Sequence, residues 1–534
     1  MERKALIAII LSTLILILYP YFIGKFYPPG EKPSFPKEEK EEMAIEQTII
    51  NKEIKKETEL DDTVIKTFDT AKYQISFSLR GGCVTQIKLK GYIDSDTHDT
   101  VRLFSISNLE EAVFATEGLS SQVRPIPLYK ISEEKDGIVF AHKIDESYEV
   151  IKKFSFNEDK YTIDLKITMR NLTPQSQKVK FSITGGSNIT ETRELDGRFI
   201  EVVNSINGKL IRDSLRRIIA KGEVFHPGDT SWIALKNKYF STILKTFVPT
   251  TSSFSKRSQA GRIFTGVEVK ESVIPANSST VQEFVLYAGP NDLGELKKAN
   301  LGLEGALNFG LFGSVSFLLL DVLKFLFSLL HNWGLAIIVL TFIVSILLYP
   351  LTWKSFKSMK EIQLIQPKIE KLRLEYKDNT QKFNKEVMQL YRKHKVNPFG
   401  GCLPILLQMP IFIALYQVFM RSIELRGAKF LWINDLSLPD RASLPFSLPL
   451  IGNRINILPL LMVGFMFLQQ KTMAKQAVPG KEEQQRAMAM LMPLLFGFMF
   501  YNLPSGLVLY WLTQTLLMTF YQWRIGRSMV VKEE

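Results

Sequence analysis

Apolar and polar side chains follow three different patterns along this chain. Residues 5–24 contain no charged side chain. From residue 62 to residue 290, apolar and polar residues alternate over many short segments, as they do from Tyr161 to Met169. Long stretches without charge return after residue 300. These patterns predict an apolar helix, then a region of β-strands, and then a helical membrane region.

The first apolar segment has the length that an α-helix needs to cross a bilayer. A cleavable signal peptide is the alternative, but the segment is longer than an ordinary signal core and no Ala-x-Ala-like site follows it. We therefore predict an uncleaved transmembrane anchor over residues 1–24. Residues 25–61 are rich in Pro, Lys and Glu. They predict a disordered linker, because they bury too little apolar surface to offset the entropy of ordering.

The alternating region, residues 62–290, predicts an all-β domain. The segment 179–183 alternates before the pair Gly185-Gly186, and the segment 281–287 predicts a last strand that ends at a Gly-Pro pair. Many short alternating segments bounded by Gly, Asn and Pro are typical of an antiparallel β-sandwich.

Residues 291–353 predict two helices with different relations to the membrane. In residues 291–324, Asp321 and Lys324 lie about one turn apart in an apolar segment. That spacing favours an amphipathic helix in the membrane interface. Residues 325–353 contain no charge and are long enough for a tilted span.

Three more uncharged stretches follow. Residues 396–420 are long enough to span the membrane, and residues 455–470 can be lengthened by residues 447–453 on their far side. Residues 487–523 are too long for one helix. The sequence Asn-Leu-Pro-Ser-Gly at residues 502–506 divides them into two short spans.

The chain thus has six predicted transmembrane helices. Five of them lie in residues 325–527, and a short tail at 528–534 follows. The Lys and Arg residues of the loops predict how these helices are oriented. The chain has 534 residues and a net charge of +13. Twelve Lys and Arg residues lie in the loop 354–395, and four lie in the loop 471–486. Because Lys- and Arg-rich loops stay in the cytoplasm, we predict that both termini are cytoplasmic and that the β domain lies outside.

The sequence offers little candidate chemistry for an enzyme. Its two cysteines exclude a disulfide-stapled scaffold and a multi-cysteine metal site. It contains no phosphate-binding loop, dinucleotide fingerprint, His-Glu-x-x-His or Gly-x-Ser-x-Gly motif, and its five histidines are scattered. We therefore predict no catalytic residue, no metal, no cofactor and no DNA partner.

The cytoplasmic segment 354–395 combines apolar residues at three- and four-residue steps with a net charge of +7. This pattern predicts two amphipathic helices in an antiparallel hairpin. The hairpin is either a docking arm for acidic phospholipids, ribosomal RNA or a targeting factor, or a basic loop that only sets topology. The candidate docking residues of the two cytoplasmic loops are Lys360, Lys368, Lys371, Arg373, Lys377 and Lys481.

Several polar or amphipathic side chains fall at membrane depth in the predicted spans. Such residues either face a wet cavity or form hydrogen bonds between helices, and the pattern leaves both open. They are Thr341, Ser345, Gln408, Tyr510, Trp511, Thr513 and Gln514.

Six motifs follow one another in the second half of the chain. They are Asn332-Trp-Gly334, Tyr349-Pro-Leu-Thr352, Leu364-Ile-Gln-Pro-Lys-Ile369, Asn397-Pro-Phe-Gly-Gly-Cys402, Gln408-Met-Pro-Ile-Phe412 and Phe500 through Tyr510. With these motifs the chain resembles the YidC/Oxa family of membrane-protein insertases. The first anchor and the outer β domain are similar to the arrangement in Gram-negative bacteria, which includes a large periplasmic β-supersandwich.

The resemblance implies an insertase and folding chaperone of the inner membrane, with an all-α polytopic core whose five spans enclose a hydrophilic groove. Thr341, Tyr510 and Trp511 match groove positions, and we assign Ser345, Gln408 and Gln514 to the same groove. The slide along which an apolar substrate segment would move is matched or flanked by Leu406, Met409, Phe412, Met499 and Phe500. The implied partners are nascent membrane proteins, the Sec translocon, a ribosome or targeting factor, and membrane lipids.

The chain departs from the family pattern at one groove position. Members of the family usually carry an arginine where this chain has Ser345, and no Lys or Arg lies between residues 325 and 353. A guanidinium would attract acidic substrate segments, whereas a hydroxyl group only keeps the groove wet. We therefore predict that electrostatic capture at this position does not operate here.

Two other function classes compete with the insertase. One is a secondary transporter whose outer β domain captures a small ligand such as a sugar, and the other is a scaffold that docks through this domain. A transporter core should show paired repeats with broken helices. Only the break at Pro504 is present, and it lies at a turn on the far side of the membrane.

Overall fold

The computed structural model describes residues 65–530, with internal gaps. The gaps are residues 95–98, 107, 120–125, 135–136, 145, 188–198, 259–260, 311, 377–378, 395–402, 449–451 and 475–481. The predicted anchor and linker therefore lie outside the described residues, and so do Lys377, Lys481 and residues 531–534.

The first half of the described chain is built from β-strands and one short helix, α1 (Leu215–Lys221). This confirms the predicted all-β domain. The strands are β1 (Ile65–Asp69), β2 (Tyr73–Ser78), β3 (Cys83–Ile93), β4 (Thr100–Ser105), β5 (Thr116–Glu117), β6 (Lys130–Glu134), β7 (Gly137–Ile144), β8 (Tyr148–Phe156), β9 (Thr162–Asn171), β10 (Gln177–Val179), β11 (Ser182–Ser187), β12 (Glu201–Ile206), β13 (Lys209–Ser214), β14 (Glu223–Pro227), β15 (Thr230–Lys236), β16 (Phe240–Thr246), β17 (Thr250–Arg257), β18 (Ile263–Val269), β19 (Ser272–Ile274) and β20 (Ser279–Pro290).

A nine-stranded antiparallel sheet organises the domain, in the order β13-β12-β15-β16-β20-β9-β8-β7-β6. A five-stranded sheet, β14-β17-β18-β11-β5, packs against the nine-stranded sheet. A four-stranded sheet, β1 to β4, also shares its hydrophobic core with the nine-stranded sheet. The Phe77 ring of the four-stranded sheet lies 5.0 Å from the Phe154 ring of the nine-stranded sheet. Burial of alternate apolar residues from facing sheets produces one continuous core.

The pair Gly185-Gly186 lies inside strand β11, although the sequence predicted it as a strand end. A Cβ atom on Gly185 would lie 2.4 Å from Cβ of Leu244, and one on Gly186 would lie 2.5 Å from Oγ1 of Thr242. Both contacts are with strand β16 of the nine-stranded sheet. The two glycines therefore mark the closest approach of the two sheets, where a side chain has no room.

The second half of the described chain is helical, apart from one β-hairpin. Its elements are α2 (Leu293–Ala299), α3 (Gly313–Leu330), α4 (Trp333–Glu375), α5 (Thr380–Lys393), α6 (Leu403–Arg421), β21 (Ala442–Leu448), β22 (Gly452–Ile455), α7 (Ile457–Ala474), α8 (Glu482–Phe500) and α9 (Ser505–Val530). Helix α9 contacts α4, α6 and α7, while α3 packs on α4 and α6. This confirms the predicted helical core. In the described part, α3 and residues 333–362 of α4 are long and apolar enough to span a membrane, so the count of six spans stays a prediction.

The boundary between the interfacial helix and the first core span differs from the predicted one. Helix α3 continues past Lys324 to Leu330, and α4 begins at Trp333 rather than at residue 325. His331 has a φ of 52°, and the Asn332 side chain accepts a hydrogen bond from the backbone N–H of Leu335. The helix break therefore depends on the left-handed backbone conformation of His331 and on the cap formed by Asn332. Neither residue adds a charge to the apolar segment, so the hydropathy pattern does not show the break.

Two further helix bounds extend the sequence prediction or correct it. Helix α4 runs without interruption from the membrane segment to Glu375, so the first arm of the predicted hairpin is a continuation of the span. Helix α7 begins at Ile457, and the preceding residues form the β21–β22 hairpin. Residues 447–448 and 452–453 lie in the strands of this hairpin, so they do not lengthen the α7 span.

Ion pairs and hydrogen bonds join the β domain to the helical half. Nζ of Lys324 in α3 lies 2.7 Å from Oδ2 of Asp292 and 2.6 Å from Oε1 of Glu424. The hydroxyl of Tyr239 is hydrogen-bonded at 3.0 Å to Oγ of Ser437. The Tyr239 bond places the turn between β15 and β16 on the loop that follows α6.

Candidate functional site

Two hydrogen-bonded pairs of polar side chains connect three helices in the interior of the bundle. In the first pair, Oγ of Ser345 in α4 donates to Oε1 of Gln514 in α9 at 2.6 Å. Ser345 is 1% exposed and Gln514 is 8% exposed. The sequence left open whether these residues line a cavity or link helices, and in this conformation they link helices.

The second pair lies one helical turn away along α9. Nε2 of Gln408 in α6 donates a hydrogen bond to the hydroxyl of Tyr510 in α9, and Tyr510 is fully buried. Residues four apart on a helix lie on the same face, so Tyr510 and Gln514 form one polar stripe along α9. Helices α4 and α6 each contribute one partner to this stripe.

Each glutamine of these pairs keeps one buried polar atom without a partner. In the described structure, Oε1 of Gln408 accepts no hydrogen bond and Nε2 of Gln514 donates none. An unpaired buried polar atom costs about 1–3 kcal/mol. The polar stripe is therefore incompletely satisfied and offers one acceptor and one donor to water or to a polar chain that enters.

The predicted groove residue Thr341 and the nearby Thr513 have a different role. The hydroxyl of Thr341 donates to the carbonyl of Ile337 at 2.7 Å, and that of Thr513 donates to the carbonyl of Leu509 at 2.8 Å. Both bonds stay within one helix, four residues back along the chain. These threonines are thus satisfied locally and do not join the interhelical pairs.

Trp511 lies in an aromatic cluster together with two of the predicted slide residues. Its ring lies 4.9 Å from that of Phe412 and 5.3 Å from that of Phe500. It also stacks on Phe496 at 5.6 Å and 27°. Phe496 was not among the predicted residues, although it lies four residues before Phe500 on α8 and so shares a helix face with it.

The predicted slide residues divide into buried and exposed ones. Phe500 is fully buried within the aromatic cluster, whereas Met409 is 46% exposed and Met499 is 53% exposed. Phe498, which the sequence analysis did not single out, is 86% exposed next to Met499. The Leu406 side chain lies outside the described residues. The outer surface of α6 and α8 is therefore apolar and partly formed by flexible methionines.

The cytoplasmic docking candidates occupy the extension of α4. Lys360, Lys368, Lys371 and Arg373 all lie in that extension, and α5 packs back along it. Nζ of Lys368 lies 3.3 Å from Nε2 of His394, next to the C-terminal end of α5. The structure thus brings the predicted hairpin together as two antiparallel helices.

The end of the bundle at which α9 begins is closed by the loop between α6 and β21. The backbone N–H groups of Ser505 and Gly506 donate to the carbonyls of Leu438 and Leu436 at 2.7 and 2.9 Å. Oδ2 of Asp440 accepts from the backbone N–H of Leu458 at 2.8 Å, at the start of α7. These bonds tie the loop to two of the helices.

Charged groups lie at the junction with the β domain rather than among the polar pairs. Burial raises the pKa of the Glu424 carboxyl above its ordinary value, and Lys324 offsets that effect only partly. Burial also acts to raise the pKa of Asp292, but its hydrogen bond and ion pair with Lys324 outweigh burial and hold that pKa below its ordinary value.

Among the described residues, no group of three or more His, Cys, Asp and Glu residues is arranged to hold a metal.

Comparisons with known proteins cover almost the whole chain. The family model of the 60Kd inner membrane protein matches residues 325–533, and the model of the YidC periplasmic domain matches residues 66–321. A membrane protein insertase YidC from Syntrophus aciditrophicus is 32% identical over 99% of this chain and 100% of its own length. A membrane protein insertase YidC from Pelobacter propionicus is 32% identical over 100% of this chain and 99% of its own length.

A solved structure is also similar to this chain. It is described as an active YidC insertase crystal structure with the first transmembrane domain resolved. It is 21% identical, covers 86% of this chain and 92% of its own, and gives a TM-score of 0.37. The sequence matches, rather than this structural one, confirm the resemblance that the motifs predicted.

Proposed function

This chain belongs to the YidC family of membrane protein insertases, and we propose that its two buried polar pairs become the lining of a hydrophilic groove during insertion. Family membership makes the chain an insertase with nascent membrane proteins as substrates, rather than a transporter or a scaffold. The polar segment of a substrate enters between α4, α6 and α9. The observation that carries this proposal is the pair of unpartnered amide atoms on Gln408 and Gln514.

The closed bundle lacks hydrogen bonds that Gln408 and Gln514 could form. Moving a polar segment through hydrocarbon is costly because its N–H and C=O groups lose water. A bundle with unsatisfied polar atoms gains hydrogen bonds when water or a polar segment enters. The unpaired atoms of the two glutamines raise the free energy of the closed bundle. The free energy needed to open the groove is therefore smaller.

The apolar segment of the substrate moves along the outside of α6 and α8. Met409, Met499 and Phe498 present exposed apolar surface there, and the aromatic cluster behind them keeps the two helices in place against α9. Flexible thioethers adapt to side chains of many shapes. Burial of the new apolar helix in lipid drives the step, at about 25 cal/mol per Å².

The groove opens to the cytoplasm and to lipid but is closed toward the periplasm. The hydrogen bonds of Ser505, Gly506 and Asp440 with the loop after α6 support closure at the periplasmic end. Trp333 and Trp353 support placing the two ends of the α4 span at the membrane interfaces, where tryptophan is enriched. They lie twenty residues apart, and twenty residues of helix span about 30 Å, the thickness of the hydrocarbon layer. Both termini then lie in the cytoplasm and the β domain lies in the periplasm.

The partners follow from this orientation. The basic hairpin of α4 and α5 receives a ribosome, a targeting factor or acidic lipid, and the chain acts alone or beside the Sec translocon. No catalytic residue, metal or cofactor is needed, since partitioning supplies the driving force.

The proposal is tested by depleting the protein and scoring the insertion of a short two-span protein that does not use Sec. Wild-type protein supplied in trans should restore insertion, whereas the double substitution Gln408→Leu with Gln514→Leu should lower it several-fold at equal protein levels. Thr513→Val is the matched control, because the Thr513 hydroxyl is bonded only within its own helix. Normal insertion after depletion would refute the function, and normal insertion by the double variant would refute the groove.

A further inference from the structure

The loop between α6 and β21 contains a tight turn with an apolar tip, at residues 430–433. The backbone N–H of Phe430 donates to the carbonyl of Ile433 at 2.9 Å, and the N–H of Ile433 donates to the carbonyl of Phe430 at 2.8 Å. These two bonds leave Leu431 and Trp432 as the tip of the turn. Leu431 is 76% exposed and Trp432 is 38% exposed, whereas Ile433 is buried. The turn therefore holds two large apolar side chains outside the core.

The backbone at Leu431 is strained. Its φ is 52°, in the left-handed region that glycine and asparagine adopt more readily than leucine does. A leucine side chain surrounded by water gains no burial that offsets this strain. Contact of the side chain with an apolar surface outside the chain would offset it.

The turn packs on the first turn of α4. The Phe430 ring fills the space next to Gly334, where a Cβ atom would overlap it. Residues 333–362 of α4 are long and apolar enough to span a membrane, so Gly334 lies at one end of that span. Leu335, the next residue, is 44% exposed. The turn therefore lies where the exposed apolar surface of α4 begins.

A second contact connects the tip to the start of α7. The indole N–H of Trp432 donates to Oδ2 of Asp440 at 3.2 Å, and the same oxygen accepts from the backbone N–H of Leu458 at 2.8 Å. The polar group of the indole is thus satisfied within the protein, and the rest of the ring is apolar. A tryptophan divided in this way suits the interface between membrane and water.

Polar residues flank the apolar tip on both sides. Lys429 and Asn434 are both exposed. Two apolar side chains between polar flanks suit a shallow contact with lipid, in which the lysine stays among the headgroups. A stable protein interface needs roughly 800 Å² from each partner, more than two side chains supply. The size of the tip therefore favours lipid over a protein partner.

We propose that Leu431 and Trp432 insert into the lipid interface at the end of the bundle where α4, α7 and α9 begin. The same loop is hydrogen-bonded to the starts of α7 and α9, so the inserted tip holds this closed end of the bundle at a fixed depth. The leaflet follows from the orientation proposed above, whereas the lipid contact does not depend on it.

The first experiment measures the depth of the tip with nitroxide labels on the full-length protein in liposomes of phosphatidylethanolamine and phosphatidylglycerol. Cys83 and Cys402 are replaced by alanine, and a single label is attached at Leu431→Cys or at Leu172→Cys. The label's collision rate with oxygen, which concentrates in lipid, is compared with its collision rate with a water-soluble nickel complex. We expect the ratio of oxygen to nickel collisions to be several-fold higher at residue 431 than at residue 172.

Leu172 is the matched control, because it is a 42% exposed leucine of the β domain. It follows the end of β9 that pairs with the start of β20, away from Pro290, where β20 leads into the helical half. Equal ratios at the two positions would overturn the proposal. Low collision rates with both reagents at residue 431 would overturn it as well, because protein would then cover the tip.

The second experiment tests the contact without a label, through the sign of a stability change. Leu431→Asn relieves the backbone strain, so at a tip in water it should leave the thermal unfolding midpoint unchanged or raise it. At a tip in lipid it should lower the midpoint in the same liposomes, by about 2 °C or more, because an apolar contact is lost and an amide takes its place. Leu172→Asn should not lower it by that amount. A midpoint that Leu431→Asn raises or leaves unchanged would refute the lipid contact.

Discussion

Ser345 and Gln514 are joined by a 2.6 Å hydrogen bond between helices α4 and α9. Both residues are neutral, and the Tyr510–Gln408 pair one turn along α9 is neutral as well. The groove that we propose therefore binds polar segments through hydrogen bonds rather than through charge.

Ser345→Arg should be tolerated and should favour substrates with acidic translocated tails. The guanidinium can donate to Oε1 of Gln514, which now accepts from Ser345, and it would attract carboxylates in a groove of low dielectric. Insertion is to be measured for one test protein with acidic, neutral and basic tails, in the wild type and the variant. The wild type should show little dependence on tail charge. If the variant also inserts all three tails equally, charge capture at this position is ruled out.

Trp511→Ala should destabilise the helical core by about 3–5 kcal/mol, because it removes a large side chain that contacts the rings of Phe412, Phe496 and Phe500. Unfolding of the detergent-solubilised protein by a denaturing detergent measures this loss. Trp523→Ala is the control, since Trp523 is 52% exposed. A loss of stability at Trp511 no larger than at Trp523 would argue against a structural role for the cluster.

Lys324→Met should destabilise the junction between the β domain and the core by about 3 kcal/mol, because it leaves two partly buried carboxylates without their shared cation. Adding Glu424→Gln to Lys324→Met should recover part of the stability, since it removes one of the two unpaired charges. Limited proteolysis at the junction and thermal unfolding would measure both effects. The idea fails if the double variant is no more stable than the single one.

The stability of the β domain should rise with pH between about 8 and about 10.5, the ordinary pKa of lysine. Burial lowers the pKa of the fully buried Lys152 to about 8, so the folded state releases a proton in this range that the unfolded state still holds. The Lys152 ammonium donates to the carbonyls of Gly81 at 2.8 Å and Phe114 at 3.0 Å, and no carboxylate pairs with it among the residues that the structure describes.

Lys152→Met should flatten this pH dependence, which amounts to roughly 3 kcal/mol at most. The measurement is the thermal unfolding midpoint of the full-length protein between pH 7 and pH 10.5. Lys178→Met, at an exposed lysine, provides the control and should keep the wild-type slope. An unchanged slope in the Lys152 variant would exclude this lysine as its source.

Much of the fold was predictable from local patterns. The β region, the helical core and the amphipathic hairpin appear where alternation and helical periodicity placed them, and the break predicted at residues 502–506 falls between Phe500 and Ser505. The boundaries that failed depend on finer features. The break at His331 and Asn332 needs a left-handed residue and a cap, and the continuation of β11 through Gly185-Gly186 needs a facing sheet.

Prediction of the candidate site was less complete. Gln408, Tyr510, Ser345 and Gln514 were recognised as polar residues at membrane depth, but their partners were not. Trp511 was assigned to the groove by resemblance, and the structure places it among aromatic rings.

The sequence alone determined the fold class, a helical membrane core with a β domain. Alternation, the length of apolar segments and the charge of loops are local properties, and each depends directly on whether a segment contacts water or lipid. Only the tertiary structure decided which polar groups meet. Ser345 and Gln514 lie 169 positions apart, and Gln408 and Tyr510 lie 102 apart. No local pattern connects such residues. Their pairing depends on how helices pack, and packing is set by the combined shape of many side chains rather than by any one segment.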